Sequence, residues 1–212
     1  MNYQDFVSDS LSTLLHYASK LGLLPETTYV AKAIRMLRDK GVSLTHLLAE
    51  VLLCKYLVEN GFSCDIESTV GDMKCDVYAK KDSADICIEI MYYALPLDSI
   101  GEWSKSIISS HIRKIIKISR NRIAFAAFAY PVGLVPMIPP EMIDAPTKDV
   151  VNRILTKYGL YDEMSNAKDL DFISPIYKIY LFDLHTTEVY ELLPTTTKNL
   201  LLFYESITGF SI

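Results

Sequence analysis

The sequence predicts an α/β protein in which a mixed central β-sheet is flanked by helices, and three observations lead to this fold class. Apolar residues recur at helical spacing early in the chain, as at Leu11 and Leu14. Three short strand-like runs follow between about residues 62 and 93. A helical segment at about 100–120 then precedes a near-continuously apolar run that begins at Ile123. Helix, three strands, helix and strand in this order indicate helices layered on a sheet.

Three helices are predicted before the first strand. The first two cover residues 3–21 and 28–39, and the residues between them include a glycine and a proline that break the helical pattern. Ser43 has the residue type and position of an N-cap for a third helix that runs to about Asn60. Gly61 then stands in the C-terminal stop position.

The three strands that follow are predicted at about 62–69, 74–80 and 85–93, with turns at Val70–Asp72 and Lys80–Ser83. Such short connections suit antiparallel neighbours, because parallel strands need a crossover of a dozen or more residues. We therefore expect an antiparallel meander.

The remaining elements are a helix, a fourth strand and a C-terminal region of mixed helix and strand. A helix at about 100–120 carries the chain to a fourth, buried strand that ends at Pro131. A helix at 147–158, a hairpin that turns at His185–Thr187 and a last helix at 196–207 follow. This part is an α+β extension at the C-terminus.

Length and composition limit the class of protein. The chain has 212 residues and is 50% hydrophobic, which suffices for one sizeable core, so we expect a single domain over residues 1–212. No run approaches the roughly 18 apolar residues of a membrane span. The first residues lack the basic start and apolar stretch of a signal peptide. We expect a cytoplasmic protein with no membrane partner, and the net charge of -5 does not by itself indicate nucleic acid.

The four cysteines are Cys54, Cys64, Cys75 and Cys87. They show no CxxC spacing and no paired histidines, which argues against a zinc site. We interpret them as buried free thiols that act as small hydrophobic residues. A disulfide between neighbouring strands is the alternative.

Two of the predicted strands each carry one acid in apolar or β-branched company. Alternation along a strand places Asp76 on a face with Lys74 and Tyr78. It places Glu89 opposite a face of three isoleucines that has an obvious role in the core. A carboxylate at either position must be solvated, paired or bound to a metal. Pairing with a nearby lysine or exposure on an edge strand would each be an ordinary explanation.

A third acid, Glu50, comes from the preceding helix. Its helix neighbours include Leu47 and Leu53, so Glu50 is a charge on a largely apolar stripe. If that stripe packs on the sheet, Glu50 is directed toward Asp76 and Glu89. Three converging carboxylates repel one another in low dielectric, and a divalent cation removes the repulsion. Oxygen-rich sites suit Mg²⁺ or Mn²⁺.

The order of these elements resembles the PD-(D/E)XK nuclease core. The similar features are the helix with Glu50, "GDMKCD" with Asp76 on the second strand, "CIEIM" with Glu89 on the third, and the helix and strand that follow. The resemblance covers residues 43–130, between an N-terminal helical extension, 1–42, and the C-terminal extension, 131–212. Archaeal Holliday junction resolvases are the most similar members, because they too place an acid on the helix before the sheet. Size and mixture of features also resemble a small protein of Sulfolobus spindle-shaped viruses, which implies the host cytoplasm.

The resemblance implies a restriction-endonuclease-like αβββαβ core and a magnesium-dependent endodeoxyribonuclease. Its substrate would be DNA, including branched or junction DNA, and a homodimer would match the symmetry of a junction. The metal, Mg²⁺ or Mn²⁺, would be held by Glu50, Asp76, Glu89 and the backbone carbonyl of Ile90. The family pattern has a lysine two residues after the glutamate, where this sequence has Met91. Some family members supply that lysine from the following helix.

That helix carries an unusual concentration of positive charge. Between Trp103 and Arg122 there is no acid, and Ile108, Ile112 and Ile115 give an apolar face. We interpret the basic residues as a DNA-binding surface, because cations bind phosphates and release counterions. Its residues are Lys105, Arg113, Lys114, Lys117, Arg120 and Arg122. Lys105 and Lys114 are the two candidates to replace the motif lysine, and a solvated helix face is the alternative explanation.

Two other functions stay open at this point. A nucleic-acid-binding protein with an inactive site would account for Met91. A structural or interaction protein would account for the tyrosines of the C-terminal third, since aromatic residues are enriched at interfaces. These are Tyr158, Tyr161, Tyr177, Tyr180, Tyr190 and Tyr204. No glycine-rich phosphate loop and no GxSxG motif occurs, and the histidines are scattered, so we do not assign His46 to the site although it lies one turn before Glu50.

Overall fold

A computed structural model describes residues 3–92, 100–144, 146–161 and 167–208. The helices are α1 (Tyr3–Lys20), α2 (Thr28–Lys40), α3 (Leu44–Glu59), α4 (Ile100–Arg120), α5 (Pro140–Asp144), α6 (Lys148–Lys157) and α7 (Pro194–Thr208). The strands are β1 (Ser63–Val70), β2 (Met73–Lys81), β3 (Ala84–Ile90), β4 (Phe125–Pro131), β5 (Ile176–Asp183) and β6 (Glu188–Leu192). Within the described ranges, none of these helices is long and apolar enough to cross a bilayer.

The six strands form one mixed sheet in the order β1-β2-β3-β4-β5-β6. The first three strands are antiparallel, as the short turns predict. β3, β4 and β5 are parallel to one another, and β6 returns antiparallel to β5. Helix α4 makes the crossover between β3 and β4. The predicted α/β class, with helices on a mixed sheet, is confirmed.

The sheet separates two hydrophobic cores. On one side Ile86, Ile88 and Ile90 of β3 pack with α1, α2 and α3. On the other side Cys87 and Met91 pack with the isoleucine face of α4 and with α6. The predicted isoleucine face of β3 is therefore correct. Successive side chains of β3 face α3 and α4 in alternation.

The side chains of β2 do not alternate between the two faces along the whole strand. Contrary to the expectation from the sequence, the face on which Asp76 lies therefore does not follow from alternation with Lys74 and Tyr78. Val77 and Ala79 belong to the core beneath α3, whereas Met73 and Cys75 belong to the core beneath α4. The pairing of β2 with β3 begins at Lys81 and ends at Val77. Asp76 is thus the residue at which β2 leaves β3 and changes faces.

The cysteines are paired, so the interpretation as free thiols is wrong. One disulfide joins Cys54 of α3 to Cys64 of β1, and the other joins Cys75 of β2 to Cys87 of β3. The Cα atoms are 5.5 and 5.6 Å apart, within the range that a disulfide requires. The partners are neighbours only after the sheet and α3 have formed, which is why their spacing in the sequence did not indicate the pairing.

The end of α3 fixes the direction in which the chain enters the sheet. Gly61 has φ +83°, the amide of Phe62 donates to Leu57 O, and the amide of Gly61 donates to Val58 O. This is the hydrogen-bond pattern of a Schellman motif, in which the residue after the helix end has a left-handed backbone conformation. Glycine adopts this conformation without steric cost. Ser43 stands at the predicted N-cap of α3, although its side chain makes no capping hydrogen bond. Both ends of the helix that carries Glu50 are thereby placed as predicted.

Candidate metal centre and the adjoining cationic cleft

A histidine and two acids come together where α3 lies over the point at which β2 leaves β3. His46 Nε2 is 3.2 Å from Glu50 Oε1 and 3.4 Å from Asp76 Oδ1. One ligand atom from each of the three residues lies within 4.8 Å of the other two. His46 and Glu50 are four residues apart on α3, so they share one helix face. This group could hold a metal ion, and we call it the metal cluster.

Glu50 is the most unusual member of the metal cluster. Its side chain is 0% exposed, and neither carboxylate oxygen accepts an aligned hydrogen bond from the described residues. Burial raises its pKa to about 7, although the contact with His46 acts in the opposite direction. A buried carboxylate without hydrogen bonds is costly unless a proton or a cation compensates it.

Asp76 takes the place of a missing backbone partner. The backbone pairing of β2 with β3 ends before Ile90. The amide of Ile90 instead donates a 2.8 Å hydrogen bond to Oδ2 of Asp76. The amide and carbonyl of a strand residue face the same neighbour, so the Ile90 carbonyl also lies on the Asp76 side of β3. Burial works against ionisation of Asp76, but contacts with His46, Lys114 and the Ile90 amide lower its pKa.

The positive charge of a protonated His46 offsets part of the negative charge of Glu50 and Asp76. Burial alone would lower its pKa, but contacts with Asp76 and Glu50 outweigh burial and raise the pKa to about 9. A protonated imidazole therefore neutralises part of the acidic charge when no metal is bound. Because an imidazole must be neutral to bind a metal, binding there would release this proton.

Glu89 lies beside the metal cluster but faces the α4 side of the sheet. Its side chain is buried and forms an ion pair with Lys114. Burial and then the charge of Asp76 raise the pKa of Glu89 to about 7, with Lys114 acting against them. Asp76 interacts electrostatically with both Glu89 and Lys114. Asp76 thus lies between Glu50, on the α3 side, and Glu89, on the α4 side. Among the described residues Glu89 is not part of the group at ligand distance, so its predicted role as a metal ligand stays a prediction.

Lys114 places a positive charge beside Glu89. Met91 is buried in the core beneath α4, on the same face of β3 as Glu89. Helix α4 brings the Nζ atom of Lys114 onto the Glu89 carboxylate from outside that strand. Lys114 was one of the two predicted substitutes. The side chain of the other, Lys105, lies outside the described part of the structure.

The basic residues of α4 do not form one continuous surface. An open cleft of about 450 Å³ is lined by Lys74, Glu89, Arg113, Lys114 and Lys117, among others. We call it the cationic cleft. Lys74 also forms an ion pair with the buried Glu67 of β1. The cationic cleft gathers four basic side chains around the buried Glu89, and the exposed Asp72 is the other acid on its wall.

Arg120 and Arg122 line a separate cavity. This cavity has a volume of about 340 Å³, and Asp169 and Asp171 line it together with the two arginines. Five of the six predicted DNA-binding residues are therefore divided between two places, and the side chain of the sixth, Lys105, lies outside the described part of the structure. Arg113, Lys114 and Lys117 adjoin the acids, whereas the arginines at the end of α4 stand opposite acidic side chains.

His46 is the residue that sequence reasoning left out. The available signal was its i, i+4 relation to Glu50 on the apolar stripe of α3. A single histidine near a helix start is more often structural. The contact with Asp76, which only the fold creates, distinguishes it.

Comparisons with known proteins add little to these findings. No protein-family model matches the sequence, and no curated protein matches it. Among solved structures, the chain is similar to "The structure of Pyrococcus Furiosus SfsA in complex with Ca2+", with 18% identity and a TM-score of 0.32. The match covers 69% of this chain and 62% of that chain. A similarity at this level assigns neither a family nor a function.

Proposed function

We propose that the protein is a metal-dependent nuclease that cleaves phosphodiester bonds of DNA. The observation that carries this proposal is Glu50. It is fully buried, its carboxylate accepts no aligned hydrogen bond from the described residues, and it lies with His46 and Asp76 at ligand distance from one another. The cationic cleft next to Asp76 supplies the positive charge that a phosphate backbone requires.

The residues of the metal cluster fit a divalent cation. Glu50 and Asp76 supply carboxylate oxygens and His46 supplies a ring nitrogen, and the Ile90 carbonyl lies on the same side of β3. Carboxylates suit Mg²⁺ and Mn²⁺, and the imidazole favours Mn²⁺, because Mg²⁺ prefers oxygen ligands alone. A bound cation of this kind lowers the pKa of its water and stabilises charge that develops on a phosphate.

The chain's own cations would orient the substrate. Arg113 and Lys117 lie on the cationic cleft with Lys114, and such groups bind phosphate oxygens by charge-assisted hydrogen bonds. Lys114 would contact both Glu89 and the phosphate and would stabilise the negative charge of the phosphate. Met91 cannot do this, because its side chain carries no charge. Junction DNA as substrate and a homodimer as assembly are part of this proposal and rest on the resemblance to resolvases.

A second candidate function is DNA binding without cleavage, and Met91 favours it. In that case the metal cluster is a salt-bridged group in which His46, with its pKa raised to about 9, replaces the cation. The two functions differ in metal affinity. A nuclease binds Mn²⁺ or Mg²⁺ at millimolar concentration, whereas the salt-bridged group excludes both.

The test combines melting temperature with cleavage of plasmid and four-way junction DNA. We expect Mn²⁺ to raise the melting temperature of the wild type, because a ligand that binds only the folded state stabilises it. Glu50→Gln should remove this shift and the cleavage. Glu59→Gln, an exposed acid on the same helix, is the matched control and should retain both. DNA binding without a metal shift or cleavage would establish the second function.

A further prediction concerns Lys114. Lys114→Gln should lower the cleavage rate by about 10²–10³-fold, the range found when a preorganised electrostatic contact to a transition state is lost. Its affinity for DNA should change much less, because Arg113 and Lys117 remain on the cationic cleft. Single-turnover cleavage and a binding titration measure the two quantities separately. A loss of affinity equal to the loss of rate would contradict this role.

A further inference from the structure

A cavity opens at the edge of the sheet where the parallel strands end. β3, β4 and β5 run in the same direction, so their carboxyl ends meet at one edge, which is where open α/β sheets bind ligands. The cavity has a volume of about 400 Å³. Its walls include Thr45, Tyr92, Pro131, Val132, Phe182 and His185. None of these residues belongs to the metal cluster.

The walls present an apolar surface that is open to solvent. Tyr92 is 41% exposed and Val132 is 50% exposed. The ring of Tyr92 is fixed at two points. Its hydroxyl donates to Thr45 O at 3.1 Å, and the ring packs edge-on against Phe182 with centroids 5.9 Å apart. These two contacts thus fix the aromatic ring of Tyr92 at the wall of the cavity.

The cavity adjoins the metal cluster. The ring centroids of Tyr92 and His46 are 6.1 Å apart, and Thr45, which holds the Tyr92 hydroxyl, precedes His46 in α3. A phosphate bound at the metal cluster would therefore place a neighbouring nucleoside beside Tyr92. Asp183 and His185 also line the cavity and provide polar groups that match the polar edge of a base.

We propose that this cavity binds an unpaired nucleobase of the DNA strand whose phosphate lies at the metal cluster, by stacking on Tyr92. The inference rests on the proposed function and specifies its substrate class. Every base has a π-face, so a single aromatic ring accepts bases without regard to sequence. A base in the cavity must leave its stack, and this costs least where it is already unpaired. The preferred substrates are therefore single strands and branched DNA with an unpaired base.

The experiment measures binding of the full-length protein to DNA with Ca²⁺ as the divalent cation. The probes are a single strand of about 12 nucleotides and a duplex of the same sequence. A second set of probes is a duplex with one unpaired nucleotide at a fixed position, and 2-aminopurine stands either at that position or at a paired one. We expect the wild type to quench 2-aminopurine at the unpaired position only. This measurement does not depend on any variant.

Variants test the role of the ring. Tyr92→Ala should weaken binding of the single strand by about ten-fold, as the loss of one base–aromatic stack predicts, and leave binding of the duplex unchanged. Tyr92→Phe should bind as the wild type does, because it keeps the ring. Tyr161→Ala is the matched control, since Tyr161 is 66% exposed and does not line the cavity.

The outcomes separate the two proposals. DNA binding with neither position-specific quenching nor an effect of Tyr92→Ala would overturn the nucleobase site and leave the nuclease proposal standing. If Tyr92→Ala weakened duplex and single strand equally, the cavity would hold something other than an unpaired base, and the inference would be wrong. A wild type that binds no DNA at low salt would overturn both proposals.

Discussion

Two histidine environments in this protein favour opposite protonation states. His46 lies between two carboxylates, which raise its pKa to about 9, whereas His111 is enclosed by apolar residues of α4 and β4. His111 Nδ1 lies 2.8 Å from Ile107 O, and its Nε2 lies 2.7 Å from the Tyr130 hydroxyl. Both contacts are satisfied by a neutral ring. Burial lowers the pKa of His111 to about 4.

His111 therefore makes stability depend on pH in a defined range. The unfolded state takes up a proton near pH 6.5, and the folded state does so only near pH 4. The contribution of neutral His111 is complete above pH 6.5 and is lost as the pH falls toward 4. Between pH 7 and pH 5 the loss is about 2 kcal/mol. Urea unfolding of His111→Gln should show a pH dependence smaller by this amount, with the exposed His16→Gln as control. An unchanged dependence would contradict the buried neutral state.

The turn between β1 and β2 is joined to the end of α4 by one asparagine. Asn121 Oδ1 accepts the amide of Asp72 at 3.1 Å, and its Nδ2 donates to Asp72 Oδ1 at 2.7 Å. Gly71 allows this close approach, because a Cβ there would lie 1.9 Å from Asn121 Oδ1. The contact links α4 to the β1–β2 turn that precedes the cationic cleft.

Gly71→Ala should therefore lower the free energy of unfolding by more than the replacement of a left-handed glycine by alanine normally does. Gly41 has the same φ of +61°, but a Cβ there would meet nothing within 4 Å. We expect Gly41→Ala to lower the free energy of unfolding by about 1 kcal/mol, the backbone cost alone. Gly71→Ala should lower it by about 2–3 kcal/mol, because the Asn121 contact is lost as well. Equal values in denaturant unfolding would show that the asparagine contact contributes nothing.

The elements show which features a sequence can and cannot predict. Most helices and strands followed from spacing along the chain, which is a local property, and the antiparallel arrangement of the first three strands followed from their short turns. The short helix α5 and the places of β4, β5 and β6 in the sheet were not predicted. The change of face at Asp76 did not follow, because a side chain there replaces the backbone partner of Ile90. The ion pair of Lys114 with Glu89 depends on how α4 is rotated against the sheet, and only packing determines this.

The two disulfides have similar loop lengths but different places in the molecule. Their cysteines are separated by 10 and 12 residues, so each should contribute about 3 kcal/mol to the free energy of unfolding. Only Cys75–Cys87 has a cysteine next in sequence to a residue of the metal cluster, because Cys75 directly precedes Asp76. We expect Cys75→Ala/Cys87→Ala to lose Mn²⁺ affinity in addition to stability. Cys54→Ala/Cys64→Ala should lose stability alone, and equal Mn²⁺ affinities in the two double variants would contradict this expectation.

The strands lie across the sheet in the order in which they occur in the chain. Each new strand therefore adds to the edge that the previous one leaves, and none has to insert between two that are already paired. During synthesis the sheet can grow outward from β1 as the chain leaves the ribosome. Tyr180 and Phe182 of β5 complete the core beneath α3, so that core closes only after the later strands have been made.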